Sequence, residues 1–438
     1  MNDRTRLILI GSGILLVVLV GALLLYFNFK SKNNNPIVQK TILTYWGLWE
    51  PESVMQSLIE RYELDHTNID IQYVQKPFTQ YESTVFTRIQ QNVIESTPAP
   101  DIVRINNAWL SKFQPYLSPL PSNILSASDY AQDFYPTAIK DFTGTDSNIY
   151  AIPLEVDGLS LFYNKKLLKA AGMTEPPKDW DSFIEAGKKL TKKNKAGVVT
   201  QGGVAIGSAK NIKHSADILN LMFLQNNVQI INSSNTEINI TTTRAESALD
   251  FYTSFVKTHK VWSDDLASDL ELFYSGKLAM MFAPSWRSFD IINSNPSIEF
   301  GIAPVPQLPS NDPVNYAMYW GEAVTRVSPN QLEAWKFVKW LSEPAQVKEM
   351  YSNSSKVRAF GEPFARKSMS IELENDPYSG AIVKMAPTMQ AWKMGDQSFI
   401  EESLRTAIND VVGKDVRIPE ALKDAQDRIN TKLSEVVK

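Results

Sequence analysis

The chain begins with an uncharged hydrophobic run that strongly constrains how it can fold. Residues 7–29 read LILIGSGILLVVLVGALLLYFNF and contain no charged side chain. As an α-helix, at a rise of about 1.5 Å per residue, this run is long enough to cross the hydrocarbon core of a bilayer, which is about 30 Å thick. The run therefore predicts a membrane helix, and the mixed chain behind it predicts a large body outside the membrane.

The end of the run favours a retained anchor over a cleaved signal peptide. It closes with Leu25-Tyr26-Phe27, whereas a cleaved signal has a shorter apolar core and a site of small residues. The chain has no cysteine, so it can form no disulfide and carry no cysteine-linked lipid. We expect residues 1–40 to be an anchor and a linker. Two basic residues flank the run on each side, so they do not decide its orientation.

The charge distribution argues against a nucleic acid partner. The chain has 44 basic and 48 acidic residues, which gives a formal net charge of −4. These charges are interspersed, and the only basic cluster is Lys188-Lys189 with Lys192-Lys193. A protein that binds nucleic acid usually concentrates basic residues on one face.

Short apolar strands alternate with amphipathic helices after residue 40. Residues 41–105 read as strand, helix, strand, helix, strand, and the second helix carries Tyr81, Val85, Ile89 and Val93 at a spacing of four. This alternation predicts a parallel sheet covered by helices, which is the α/β class. Further helices are predicted at 179–194, 215–226, 243–259, 329–341, 398–412 and from 419 onward. Further strands are predicted at 204–206, 278–282, 300–305 and 317–324.

The chain lacks the residue patterns of the common catalytic sites. None of its three histidines has a metal-ligating neighbour at helical or turn spacing, which argues against zinc chemistry and histidine-based nucleophilic catalysis. No phosphate-binding glycine loop is present. A glycosidase-like pair of acids stays open, with Glu50, Asp157 and Glu322 as candidates. We predict a protein that is not an enzyme, with no catalytic residue, metal or cofactor.

Tryptophans at the ends of predicted strands indicate a binding surface. In parallel α/β sheets ligands bind at the carboxyl ends of the strands, and an exposed indole there can stack on the flat apolar face of a sugar ring. Any one of these tryptophans is equally consistent with packing, but their recurrence favours a ligand site. The aromatic candidates are Trp46, Trp49, Trp109, Trp286, Trp320 and Trp392. Their polar neighbours are Glu50, Asn106, Asn107, Asp157, Ser285 and Glu322.

Several motifs in order along the chain carry a family resemblance. Residues 149–168 read IYAIPLEVDGLSLFYNKKLL and are followed by PPKDWDSF at 176–183. Weaker motifs follow at 273–286, 300–306 and 334–341, and the tail reads PEALKDAQDRIN at 419–430. From about residue 41 to its end, the chain resembles the extracellular solute-binding proteins of ABC importers, the family that includes maltose-binding protein.

The resemblance implies a two-lobed periplasmic-binding-protein-like fold of type II, with solute held in the cleft. It implies crossings near 154–160, 303–306 and 342–344, one lobe of 41–155 plus 304–343, and another of 158–302 plus 344–438. Asp157 matches the polar cleft position on the crossing strand, Trp286 a stacking aromatic, and Trp392 the aromatic of the C-terminal lobe. Trp46, Trp49 and Glu50 lie where the first strand opens into the cleft.

The chain also departs from the family pattern. Sugar binders often place an aromatic residue and an acid after the PDIV motif at 100–103, but here the run is Arg104-Ile-Asn-Asn-Ala-Trp109. Arg358 either pairs with an anionic group of the solute or bonds the protein surface. The lipid-anchoring cysteine of the family is missing, and the N-terminal helix takes its place.

These observations predict a membrane-anchored receptor on the extracytoplasmic side. It captures a sugar or an oligosaccharide in the interlobe cleft and delivers it to an ABC permease. One alternative is a sensor that uses the same cleft and docks onto a signalling receptor. Another is a carbohydrate-active enzyme that uses Asp157 or Glu322.

Overall fold

The computed structural model of the chain describes residues 18–24, 40–95, 98–309 and 312–436. Residues 18–24 are helical, and the rest of the predicted membrane span, 7–29, lies outside the described residues. Within the described ranges, no helix combines the length and the apolar character needed to cross a bilayer.

The described chain alternates strands and helices. The strands are β1 (Thr41–Gly47), β2 (Ile69–Gln75), β3 (Ile102–Asn106), β4 (Leu159–Asn164), β5 (Lys192–Lys193), β6 (Val199–Val204), β7 (Leu278–Pro284), β8 (Phe300–Ala303), β9 (Asn315–Tyr316), β10 (Trp320–Val324) and β11 (Met389–Gln390). The longer helices are α1 (Glu52–Asp65), α2 (Tyr81–Glu95), α7 (Trp180–Leu190), α8 (Ser215–Gln225), α9 (Thr243–Lys257), α11 (Arg287–Ser294), α12 (Gln331–Leu341), α13 (Pro344–Val357), α16 (Gln397–Gly413) and α17 (Ile418–Val436). The shorter helices are α3 (Leu110–Phe113), α4 (Ala127–Asp133), α5 (Pro136–Phe142), α6 (Lys165–Ala170), α10 (Asp269–Tyr274), α14 (Ser370–Leu373) and α15 (Gly380–Met385), with 3₁₀ turns at Gln114–Tyr116, Lys367–Met369 and Ala386–Thr388.

The N-terminal strands form a four-stranded sheet in the order β10-β3-β1-β2. β1 pairs with β2 and β3 in parallel, while β10 returns antiparallel to β3. Helix α1 covers this sheet because Val54, Met55, Leu58 and Tyr62 form one buried stripe. The predicted strand–helix–strand–helix–strand order of residues 41–105 is confirmed, with limits within about two residues.

A second sheet of five strands has the order β5-β6-β7-β4-β8. All seven residues of β7 are buried, as expected for a central strand with both faces covered. Helix α8 is buried along its whole length. Two sheets with helical cover support the predicted two-lobed α/β fold.

Extended segments run side by side between the sheets. Ile152 pairs with Glu322, Gly158 pairs with Ala317, and the Val156 N–H donates to the carbonyl of Pro363 at 2.8 Å. A side chain at Gly158 has no room, because a Cβ there would lie 2.4 Å from the carbonyl oxygen of Tyr316. These segments connect the two sheets.

Contacts in two regions differ from the predicted lobe limits. The side-chain amide of Gln225 in α8 donates to the carbonyls of Pro306 at 3.0 Å and Val314 at 3.1 Å, so Pro306 and Val314 both lie beside α8. Helix α13, in turn, packs on α1 of the first sheet, where Arg61 and Glu349 form an ion pair at 2.5 Å. The chain thus changes sheets nearer Ala317 than 304, and the assignment of complete lobes stays a prediction.

Candidate functional site

A small pocket of about 80 Å³ lies where the connecting segments meet the two sheets. Trp49 reaches it from the loop after β1, Trp320 from the start of β10, and Trp286 from the loop after β7. Residues of both sheets therefore share one opening. The lining residues are Trp49, Glu155, Asp157, Trp286, Phe289, Met318, Tyr319, Trp320, Arg358 and Glu362.

Two indoles face each other across this pocket. The rings of Trp49 and Trp286 are stacked, with centroids 6.3 Å apart and an interplanar angle of 18°. Trp320 meets Trp49 edge-on at 6.1 Å, and Phe78 packs against Trp49 at 5.0 Å. Since Trp49 belongs to the first sheet and Trp286 to the second, a change in the separation of the sheets also changes the gap between these indoles.

Asp157 holds the loop that carries Trp286. Its carboxylate accepts hydrogen bonds from the backbone N–H groups of Gly158 at 2.7 Å and Ser285 at 3.1 Å, and from the Ser285 hydroxyl at 3.0 Å. The N–H of Trp286 is a longer donor, at 3.4 Å. Burial, and after it the charge of Glu362, raise the pKa of the Asp157 carboxyl. Asp157 thus lines the pocket, while Ser285, which was predicted to contact ligand, is buried behind the lining and helps to position the loop that carries Trp286.

Arg104 is the centre of a buried ion network beside the pocket. Its guanidinium contacts Glu50 at 2.6 Å, Glu322 at 2.8 Å, and Glu155. Arg104 is 1 % exposed, and Glu322 is fully buried. Burial raises the pKa of Glu322 to about 7, and the charge of Arg104 opposes this shift. Glu50 and Glu322, both predicted to contact ligand, are instead bound to Arg104 behind the pocket.

Arg358 lies at the pocket edge and faces protein carboxylates. Its guanidinium nitrogens are 3.6 Å from Glu50 and 3.4 Å from Glu362. The guanidinium also lies over the ring of Phe289, 4.9 Å from its centroid. Of the two alternatives for Arg358, the structure shows pairing with the protein, although the side chain also lines the pocket.

Three of the predicted tryptophans are outside the pocket. Trp46 packs under Lys76, whose ammonium is 4.0 Å from the ring centroid. Trp109 donates its indole N–H to Gln397 at 3.0 Å and packs behind Trp320. Trp392 donates its indole N–H to Asn220 at 3.0 Å, and it borders a separate pocket of about 260 Å³.

The two predicted asparagines also have internal partners. The side-chain carbonyl of Asn106 accepts from the N–H of Ala108 at 3.0 Å, which shapes the turn after β3. The amide of Asn107 donates to Asp141 at 3.0 Å and accepts from the N–H of Tyr319 at 3.3 Å. Both side chains are buried and take no part in lining the pocket.

Five pocket residues were not predicted from the sequence, although local spacing offered a signal for some of them. Glu155 and Asp157 are two positions apart in an extended segment, so their side chains share a face. The other four were not predicted either, although Met318 lies two positions before Trp320 and Phe289 lies about one helical turn after Trp286. These four are Phe289, Met318, Tyr319 and Glu362. Among the residues that the structure describes, no group of three or more His, Cys, Asp or Glu side chains could hold a metal ion.

Comparison with known proteins places this geometry in context. The family model described as bacterial extracellular solute-binding protein matches residues 47–348. The maltotriose-binding protein of Pyrococcus abyssi is 22 % identical over 383 residues, which are 82 % of this chain and 77 % of that protein. The melibiose/raffinose/stachyose-binding protein MelE of Bacillus subtilis is 22 % identical over 72 % of this chain and 74 % of its own length. The solved structure of the sugar-binding protein MalE of Xanthomonas citri aligns with a TM-score of 0.74 at 19 % identity, covering 90 % of this chain and 98 % of that one.

Proposed function

This chain belongs to the bacterial extracellular solute-binding protein family, and we propose that it grips a sugar or an oligosaccharide between Trp49 and Trp286. The observation that carries the proposal is the stacking of these two indoles from opposite sheets across one pocket. Pyranose rings have flat apolar faces that suit such a pair. The names of two relatives, which bind maltotriose and melibiose, raffinose or stachyose, favour a carbohydrate over other solutes.

Binding requires the two indoles to separate. Ligand pockets usually measure about 300–1,000 Å³, whereas this pocket measures about 80 Å³. A ring between two flat partners needs about 3.5–4 Å on each side, so the indole planes must stand about 7–8 Å apart. Their centroids are now 6.3 Å apart. A small rotation about the extended segments between the sheets would separate the two indoles. A bound sugar ring then favours the arrangement in which both indoles contact it.

We further propose that the protein works on the extracytoplasmic side and passes its solute to an ABC permease. Residues 7–29 would anchor it in the membrane, since their length and lack of charge suit a spanning helix. The carboxylates near the pocket hold backbone segments and the Arg104 network in place, and we propose no catalytic role for them.

Isothermal titration of the purified full-length chain against a panel of neutral mono- and oligosaccharides tests the proposal. We expect at least one sugar to bind with a Kd in the micromolar range or below, and Trp286→Ala to weaken it severely. Trp340→Ala is the matched control. Trp340, on α12, is also partly buried, but it packs against Tyr62 of α1 and borders a different pocket. Binding of no sugar, or an unchanged Kd in Trp286→Ala, would overturn the proposal.

A further inference from the structure

Carboxylates outnumber cations around the pocket. Five acidic side chains, Glu50, Glu155, Asp157, Glu322 and Glu362, belong to the pocket or to the network behind it. Two guanidinium groups, Arg104 and Arg358, face them. Buried charges need partners, because removing them from water is costly. The surroundings of the pocket therefore favour an added positive charge.

The two arginines are already committed to part of this cluster. Arg104 contacts Glu50, Glu155 and Glu322, while Arg358 lies between Glu50 and Glu362 at 3.6 and 3.4 Å. Arg287, next to Trp286, pairs with Asp290. The hydrogen bonds to Asp157 come from uncharged groups of Gly158, Ser285 and Trp286.

One carboxylate oxygen of Glu155, which lines the pocket, accepts no hydrogen bond within the described part of the chain. Glu155 is 5 % exposed and contacts Arg104 through Oε1. Its second oxygen, Oε2, is buried and accepts no hydrogen bond from the residues that the structure describes. A buried acceptor without a donor is unfavourable, and more so when the acceptor is charged. Because Glu155 lines the pocket, a ligand can supply that donor.

We propose that the solute is an amino sugar, whose protonated amine bonds to Glu155 Oε2 while its ring lies between Trp49 and Trp286. This inference rests on the proposed carbohydrate-binding function and narrows its substrate class. An ammonium group brings three donors and a positive charge. The face of the Trp49 ring can attract a cation, whereas the Trp286 ring already has the Arg287 guanidinium 4.2 Å from its centroid. A neutral hydroxyl can donate to Oε2 but leaves the excess of carboxylates unbalanced.

The ionisation of the neighbouring acids agrees with this assignment. Burial raises the pKa of Asp157 and of Glu362, because neither carboxylate receives enough positive charge to offset its loss of water. A bound ammonium group lowers both pKa values, so binding near neutral pH releases protons. A neutral sugar brings no such charge and releases fewer protons.

A matched set of sugars separates this inference from the general function. Glucosamine, N-acetylglucosamine and glucose, with their β-1,4-linked dimers, differ only in an ammonium, an acetamide or a hydroxyl group at one carbon. We expect titration calorimetry to give at least tenfold tighter binding for the ammonium form than for the other two. Titration in two buffers of different ionisation enthalpy should show a larger proton release for the ammonium form than for the other two.

Glu155→Gln tests the contact itself. The glutamine keeps the shape of the side chain and one carbonyl oxygen that can accept from Arg104, but it carries no charge. The preference for the ammonium form should therefore fall to within about twofold. Glu420→Gln, at an exposed pair with Arg417, is the control and should keep the preference. A preference that survives Glu155→Gln refutes the role of Glu155.

The outcomes distinguish the two proposals. Equal or tighter binding of a neutral or acetylated sugar overturns the amino-sugar inference and leaves carbohydrate binding intact. Binding of no sugar from this set or from the neutral panel overturns both. If Glu155→Gln fails to fold, the proton release and the ammonium preference of the unaltered chain still decide the matter.

Discussion

The residues predicted to contact a ligand fall into two groups that differ in what already occupies them. Trp49, Trp286 and Trp320 are partly buried, stack on one another and leave ring surface toward the pocket. Trp109 and Trp392 are buried, and each donates its indole N–H to a protein side chain. An indole that is buried and whose N–H is bonded to a protein side chain has little surface left for a solute.

The polar candidates divide in the same way. Asp157 lines the pocket, whereas Glu50 and Glu322 are held by Arg104 behind it, and Asn107 is held by Asp141. The second group still matters for function, because it fixes the backbone from which the first group projects. We therefore expect substitutions in the lining group to change affinity and substitutions in the supporting group to change stability.

Replacement of Arg104 should have the largest effect. Arg104→Met leaves three carboxylates buried without their shared cation, and breaking a buried ion pair costs about 3–5 kcal/mol. Unfolding by urea should show this loss in the free energy of unfolding. Arg61→Met, which removes an exposed pair with Glu349, should cost under about 1 kcal/mol. Similar losses in the two variants would mean that the network does not support the pocket.

Trp392→Ala should cause the next largest loss of stability, and it tests whether Trp392 belongs to the supporting group. Truncation of a buried tryptophan costs about 3–5 kcal/mol, through lost burial and the cavity left behind. The affinity for sugar should stay within about twofold, since Trp392 borders a different pocket. A large loss of affinity with unchanged stability would move Trp392 into the lining group.

Trp49→Ala should show the opposite pattern. Central aromatic contacts of a binding site typically contribute about 2 kcal/mol or more, which is about a 30-fold loss of affinity. The free energy of unfolding should fall less than in Trp392→Ala, because Trp49 is only partly buried. Titration calorimetry and urea unfolding of the same preparations measure both effects. An unchanged Kd would remove Trp49 from the proposed site.

The dependence of stability on pH should show the smallest effect. Asp157 and Glu362 have folded pKa values above their usual ones, so the stability they contribute is complete below about pH 4 and is lost as the pH rises through the folded values. The Tm of the free protein should therefore fall between pH 5 and pH 8. Glu362→Gln should make this fall smaller, because the variant has no carboxyl group to ionise at that position, while the exposed control Glu420→Gln should leave it unchanged. A fall of the same size in Glu362→Gln would contradict the assignment.

Local patterns predicted much of the fold because they express burial directly. The spacing of Tyr81, Val85 and Ile89 predicted α2, and the apolar run at 278–282 predicted β7. The predicted helix 179–194 ends earlier, at Leu190, where the Thr191 hydroxyl donates to the carbonyl of Gly187 at 2.7 Å. Helix α13 was not predicted, since its polar sequence shows little periodicity and its packing partner α1 is distant in the chain.

The site was predicted less completely because its contacts are long-range. Positions near predicted strand ends pointed to Trp49, Trp286 and Trp320, all of which line the pocket. They could not show that Trp392 bonds Asn220, 172 positions away, or that Arg104 gathers Glu50 and Glu322. Whether a strand-end tryptophan lines a pocket depends on such partners.

A crystal structure of the full-length chain with its tightest-binding sugar tests the central claim most directly. We predict a pyranose ring between Trp49 and Trp286, with the indole planes about 7–8 Å apart and the Asp157–Ser285 hydrogen bonds kept. A sugar bound elsewhere, for example against Trp392, with Trp49 and Trp286 still stacked on each other, would contradict the account.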